Sequence, residues 1–65
     1  MSKMATGTVT QIIGPVVDIR FNENEMPAIN DAIRVRNGHE IITVEVMQQR
    51  GAGIVRCVAF ASTEG

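Results

Sequence analysis

The chain has 65 residues and a net charge of −1 at pH 7, which leaves room for one hydrophobic core and no second domain. Hydrophobic residues make up 45% of it and charged residues 20%, the balance of a folded domain and not of a disordered tail. Phe21 and Phe60 are its only aromatic side chains of the Phe, Tyr and Trp class. It therefore lacks the stacking surfaces that hold single-stranded nucleic acid, and its slight negative charge opposes phosphate-backbone binding.

A chain this short buries only about 60% of its unfolded surface, close to the limit at which domains fold without disulfides, metals or partners. Help from a neighbour or a further segment is expected. The single cysteine, Cys57, forms no internal disulfide and fits a cytosolic setting. Residues 1–7 show neither the apolar run of a signal peptide nor the arginine-rich pattern of a transit peptide. No apolar stretch approaches the ~20 residues needed to span a membrane. The expectation is a soluble chain with a flexible N-terminus over residues 1–5, a domain over residues 6–65, and no membrane insertion.

Taken in order, Thr8 to Ile13 reads as a first strand. Gly14 and Pro15 make a tight turn, and Val16 to Phe21 alternates with period two, Val17, Ile19 and Phe21 on one face and Val16, Asp18 and Arg20 on the other. Asn22 to Asn30, about nine residues, exceeds a common hairpin connection and reads as a surface loop reaching across a barrel end. Asn37 and Gly38 tolerate the positive φ of a type I′ turn. This predicts a hairpin pairing Arg36 with His39 and Val35 with Glu40. Ile33, Val35, Ile42, Val44 and Val46 then share one face, and Arg34, Arg36, His39, Thr43 and Glu45 the other. Gln48 to Gly53 reads as a break, Ile54 to Phe60 as a fifth strand, and Ser62 to Gly65 as the start of a turn. No segment holds helical periodicity. The fold class is all-β, a small barrel.

Few residues invite chemistry. Gly51, Ala52 and Gly53 lack the Gly-Lys-Ser/Thr continuation and helix of a phosphate loop and read as a strand connection. His39, without a second histidine, reads as a solvated turn residue. Cys57 stands beside Arg56, whose charge would lower a thiol pKa, but a packed, inert cysteine is the simpler expectation. Asp18 and Glu45 would form an acid and base pair only in a shared pocket, and are expected as solvated carboxylates. Arg20, Arg34, Arg36, Arg50 and Arg56 suit an interface or ordinary surface charge. Met26, Met47 and Ile41 are candidates for an apolar patch facing a partner.

The stretch Thr6 to Phe21, followed by Pro27 to Ala32, resembles the N-terminus of the F-type ATP synthase β subunit. The similarity continues through Val44 to Val46, Gln48, Gln49, Gly53 to Arg56, Ala59 and Thr63 to Gly65. Ile13 to Asp18 taken with Val55 and Arg56 resembles the catalytic β subunit more than its α paralogue. Cys57 departs from the threonine usual in that family, and Ile33 and Arg34 from leucine and an acidic or polar residue.

The resemblance implies a six-stranded β-barrel that packs with like barrels of alternating α and β subunits into the crown of a hexamer. The parent enzyme is a proton-transporting ATP synthase, peripheral on the cytoplasmic face of a bacterial inner membrane or its organelle equivalent. Nucleotide and Mg²⁺ belong to a later domain carrying the phosphate loop. No catalytic, cofactor-binding or metal-binding residue is therefore expected in this chain, and no ATPase activity. Family members continue past Gly65 through a Leu-x-Arg-Gly segment into the last barrel strand. The barrel is expected to lack that strand and to self-associate along the resulting edge. Alternative readings are an excised or engineered self-associating barrel, or a barrel binding nucleic acid.

Overall fold

A computed structural model describes residues 6–59. Five strands, β1 (Thr8–Ile13), β2 (Val16–Arg20), β3 (Ala32–Asn37), β4 (Glu40–Gln49) and β5 (Ile54–Ala59), form one antiparallel sheet in the order β1-β2-β5-β4-β3. β3, β4 and β5 form a meander, and β2 lies beside β5, so the last four strands make a Greek key. The sheet curls into a half-barrel. Among the described residues no strand joins β1 to β3, which agrees with the expected all-β barrel short of a closing strand. The expected turn at residues 62–65 and the end of the fifth strand at Phe60 lie outside the described residues.

The core occupies the concave face, where alternation delivers Val17, Ile19 and Phe21 from the β2 run, Val44 and Val46 from β4, and Val55 and Cys57 from β5. Ile33, Val35, Ile42 and Ala59 pack around it. The loop from β2 to β3 passes the joined ends of β4 and β5. It makes one 3-10 turn at Glu23–Glu25, accepts a 2.8 Å bond from Gln49 Nε2 at the Pro27 carbonyl, and tucks Met26 against the core. Phe21 donates its N–H to the Gly53 carbonyl at 2.8 Å. An added Cβ at Gly53 would overlap the Phe21 carbonyl oxygen, so only glycine lets this loop and the β4–β5 turn approach so closely.

Three expectations need correction. Asn37 pairs with Glu40, Arg36 with Ile41 and Val35 with Ile42, so the hairpin's central residues are Gly38 and His39 and not Asn37 and Gly38. Gly38 has φ +66, and glycine in the first central position is the II′ pattern, which turns the chain with one positive φ. The pairing is displaced by two residues from the expected one, and a displacement of two preserves the side-chain period. The expected faces of Ile33, Val35, Ile42, Val44 and Val46 therefore hold. Gln48 and Gln49 belong to β4 because a bulge at Met47 lets them pair with Arg56 and Val55. The strand from Val16 ends at Arg20, one residue before Phe21.

β1 carries a second bulge, at Thr10, since Val9 opposes Ile19 while Gln11 opposes Asp18. The extra residue brings Val9 and Ile12 to the concave side together, leaving Thr8, Gln11 and Ile13 on the outer side.

Candidate assembly surface

Two features stand out, one on each side of the sheet. On the concave side, the facing parts of β1 and β3 leave a cleft of ≈ 540 Å³ whose walls include Gly7, Val9, Ile19, Phe21, Ile33 and Val35. A Cβ at Gly7 would sit 2.8 Å from both the Ile19 side chain and the Phe21 ring, so the chain enters β1 pressed onto the core. The cleft lining is mainly apolar, and its polar side chains, Thr6, Thr8, Arg34 and Arg36, contain no acid, base pair or nucleophile suited to catalysis.

On the outer side the register aligns a polar row across four strands. Gln11 of β1 opposes Asp18 of β2, Asp18 opposes Arg56 of β5, and Arg56 opposes Gln48 of β4. Arg56 donates Nε–H to Asp18 Oδ1 at 2.9 Å and Nη2–H to Oδ2 at 3.0 Å, a bidentate fork of the kind guanidinium geometry favours. Thr10 Oγ1 donates to the Asp18 carbonyl at 3.3 Å. Arg50 Nη1 donates to Gln48 Oε1 at 3.1 Å, extending the row to the β4–β5 turn.

Asp18 is only 7% exposed although it faces outward. The hydrogen bonds from Arg56 hold its carboxyl below the ordinary carboxylate range. Burial pushes the other way, and the positive charges of Arg56 and Arg50 reinforce the lowering. The same hydrogen bonds and the Asp18 charge raise Arg56 above its usual value. The expectation of a solvated Asp18 is thus overturned, and Arg56 is committed to an internal pair instead of to a partner. One row along, Ile13, Val16 and Val58 lie in register beside Glu45 and Ala32, an apolar strip next to the ion pair.

The comparison that decides the family is a match of residues 9–65 to the model of the ATP synthase alpha/beta family, beta-barrel domain. The chain belongs to that family. The barrel's described part holds no group of three or more His, Cys, Asp or Glu side chains placed to share a metal ion, and no helix there is long and apolar enough to cross a membrane.

The remaining candidates fall in separate places on this family barrel. Gly51, Ala52 and Gly53 connect β4 to β5, with Arg50 N–H donating to the Ile54 carbonyl at 2.7 Å. His39 is exposed at the β3–β4 turn. Cys57 is fully buried, and burial first, then the Asp18 charge, push its thiol up. The neighbouring Arg56, turned to the other face, does not activate it. Glu45 lies on the outer face opposite Val58 and shares no pocket with Asp18. Arg20, Arg34 and Arg36 are exposed. Met26 packs on the core and leaves the proposed patch. Ile41 and Met47 are 58% and 52% exposed but stand six residues apart on β4, about 20 Å at the strand rise, and make no single surface.

Sequence reasoning missed the Asp18–Arg56 pair. Each residue carries a signal by itself, a charge within an alternating strand, but their partnership depends on β5 lying next to β2, across 38 positions of sequence.

Proposed function

We propose that this barrel is the N-terminal crown domain of an F-type ATP synthase β subunit, joining neighbouring α and β barrels into a hexamer. The domain is non-catalytic, and nucleotide and Mg²⁺ bind elsewhere in the parent. The parent complex couples proton translocation to ATP synthesis and sits peripherally on its membrane. The observation that carries this reading is the family match over residues 9–65. The β-type run Ile13 to Asp18, with Val55 and Arg56, favours β over α, and in this structure the two parts of that motif meet in the Asp18–Arg56 fork. The apolar strip of Ile13, Val16 and Val58 beside charged neighbours suits a protein contact, since interface cores are depleted of charge and rims are polar.

Domain exchange tests the assignment. Residues 9–65 replace the corresponding segment of the barrel of a bacterial β subunit or, separately, of its α subunit, each parent keeping its own later residues, and each chimera is co-expressed with its partners. Hexamer recovered from the β exchange and not from the α exchange is the expected result. Recovery from the α exchange alone overturns the β assignment, and folded chimeras that give no hexamer in either case overturn the assembly role.

A further inference from the structure

The chain's net charge of −1 is not shared evenly by its surface. On the outer face of β2 and β5, Arg20, Arg56 and, from the β4–β5 turn, Arg50 surround a single acid, Asp18. Asp18 is held by both arms of Arg56, and among the described residues no ion pair forms at Arg20 or Arg50, both exposed. Arg20 lies opposite Ile54, and Arg50 donates its N–H to the Ile54 carbonyl at 2.7 Å, so the two arginines flank one half-buried isoleucine. The Arg50 guanidinium turns along the sheet to Gln48 Oε1 at 3.1 Å. Two residues along each strand stands the Asp18–Arg56 fork, and two further on stand Val16 and Val58, with Ile13 beside them and 55% exposed. The three rows span about 14 Å at the strand rise, which one neighbour can cover.

We propose that this face receives an acidic surface of the adjacent barrel in the hexamer, Arg20 and Arg50 holding a carboxylate while Ile13, Val16 and Val58 meet apolar side chains. The contact presupposes the assembly role proposed above, whichever subunit type the barrel belongs to. A protein suits the face better than a phosphate backbone. Every cation among the described residues is an arginine, the basic residue enriched at protein interfaces, where lysine is depleted. Phe21, the one Phe, Tyr or Trp among them, is buried in the core and stacks on no base. The fork between the two ends brings its own counter-charge, so covering the face strips water from no unpaired Arg56. The patch lies outside the curl, and the way the barrel closes between β1 and β3 does not alter it.

The exchange chimera that forms hexamer supplies the test. Arg20→Glu combined with Arg50→Glu should raise the subunit concentration for half-assembly at least about tenfold. The circular dichroism spectrum should not change, because both positions are exposed. Assembly of the unsubstituted chimera should weaken as salt rises from about 0.05 to about 0.5 M. Arg34→Glu, a like change of charge at an exposed position on β3, should leave assembly as it was. Half-assembly that is indifferent to the double reversal or to salt, or that shifts equally with Arg34→Glu, overturns the contact and leaves the assembly role standing. Absence of hexamer from the unsubstituted chimeras overturns both. If the double reversal abolishes binding to duplex DNA and spares the hexamer, the arginines serve phosphates and the contact is likewise overturned.

Discussion

Asp18 points away from the core and is nevertheless shut from solvent, because Arg56 lies across it with two near-parallel hydrogen bonds. Removing Arg56 leaves the Asp18 carboxylate largely buried without its two hydrogen bonds, whereas removing Asp18 leaves a guanidinium that is 36% exposed and can be rehydrated. The pH dependence follows from the direction of the shift. A carboxyl held lower in the folded chain than in the unfolded one stabilises the fold at neutral pH, above the ordinary value of ~3.9. That contribution is lost as pH falls through the folded-state pKa. Asp18→Asn should therefore lower the urea midpoint at pH 7 and flatten its decline on going to about pH 3. Midpoints that fall in parallel for the two proteins would assign the acid sensitivity to other carboxylates. The thiol of Cys57 illustrates the reverse case, since burial in the core pushes it up.

At the scale of the element, the two bulges decide which side chains reach which face. Val46 is inward and Gln48 outward, with Met47 as the extra residue between them. Deleting Met47 keeps that alternation, whereas deleting Glu45 uses up the extra residue, turning Val46 outward and putting Met47 in the place of a fully buried valine. The Met47 deletion should still unfold in a single cooperative urea transition. The Glu45 deletion should unfold at a lower urea midpoint than the Met47 deletion, and equal midpoints would mean that Met47 fills the place of Val46 without loss. The same logic explains how much was legible beforehand. The bounds of Thr8–Ile13 and the faces of the β3–β4 hairpin follow from local chemistry, from Gly-Pro punctuation and period-two alternation. The hairpin register was displaced because Asn37-Gly38 and Gly38-His39 are both acceptable turn centres, and a two-residue displacement leaves every face unchanged. Bulges have no composition signature, so β4 extended past its expected end. The Asp18–Arg56 fork stayed hidden because it exists only once the Greek key inserts β5 between β2 and β4.

For the whole molecule, one curled sheet supplies both walls of the core. Among the described residues the largest fully buried side chains, Val44, Val46, Val55 and Cys57, come from β4 and β5, while β1 and β3 hold the margins. A 65-residue chain at the usual 0.05–0.15 kcal/mol per residue has roughly 3–10 kcal/mol of total stability. Val46 is 0% exposed, and Val46→Ala removes two methyl groups at ~0.8 kcal/mol each and adds a cavity term, about 2–3 kcal/mol together. That is a large share of the whole, so the substitution should shift the urea midpoint strongly, whereas Ile41→Ala, at a 58% exposed position, should change stability by no more than about 0.5 kcal/mol. The two variants are compared at one fixed protein concentration. If Val46→Ala proved as mild as Ile41→Ala, the curl of the sheet would have to tighten enough to refill the void. A half-barrel with an open cleft beside its core has more room to make that adjustment than a closed one, so this substitution measures how firmly the curl is set.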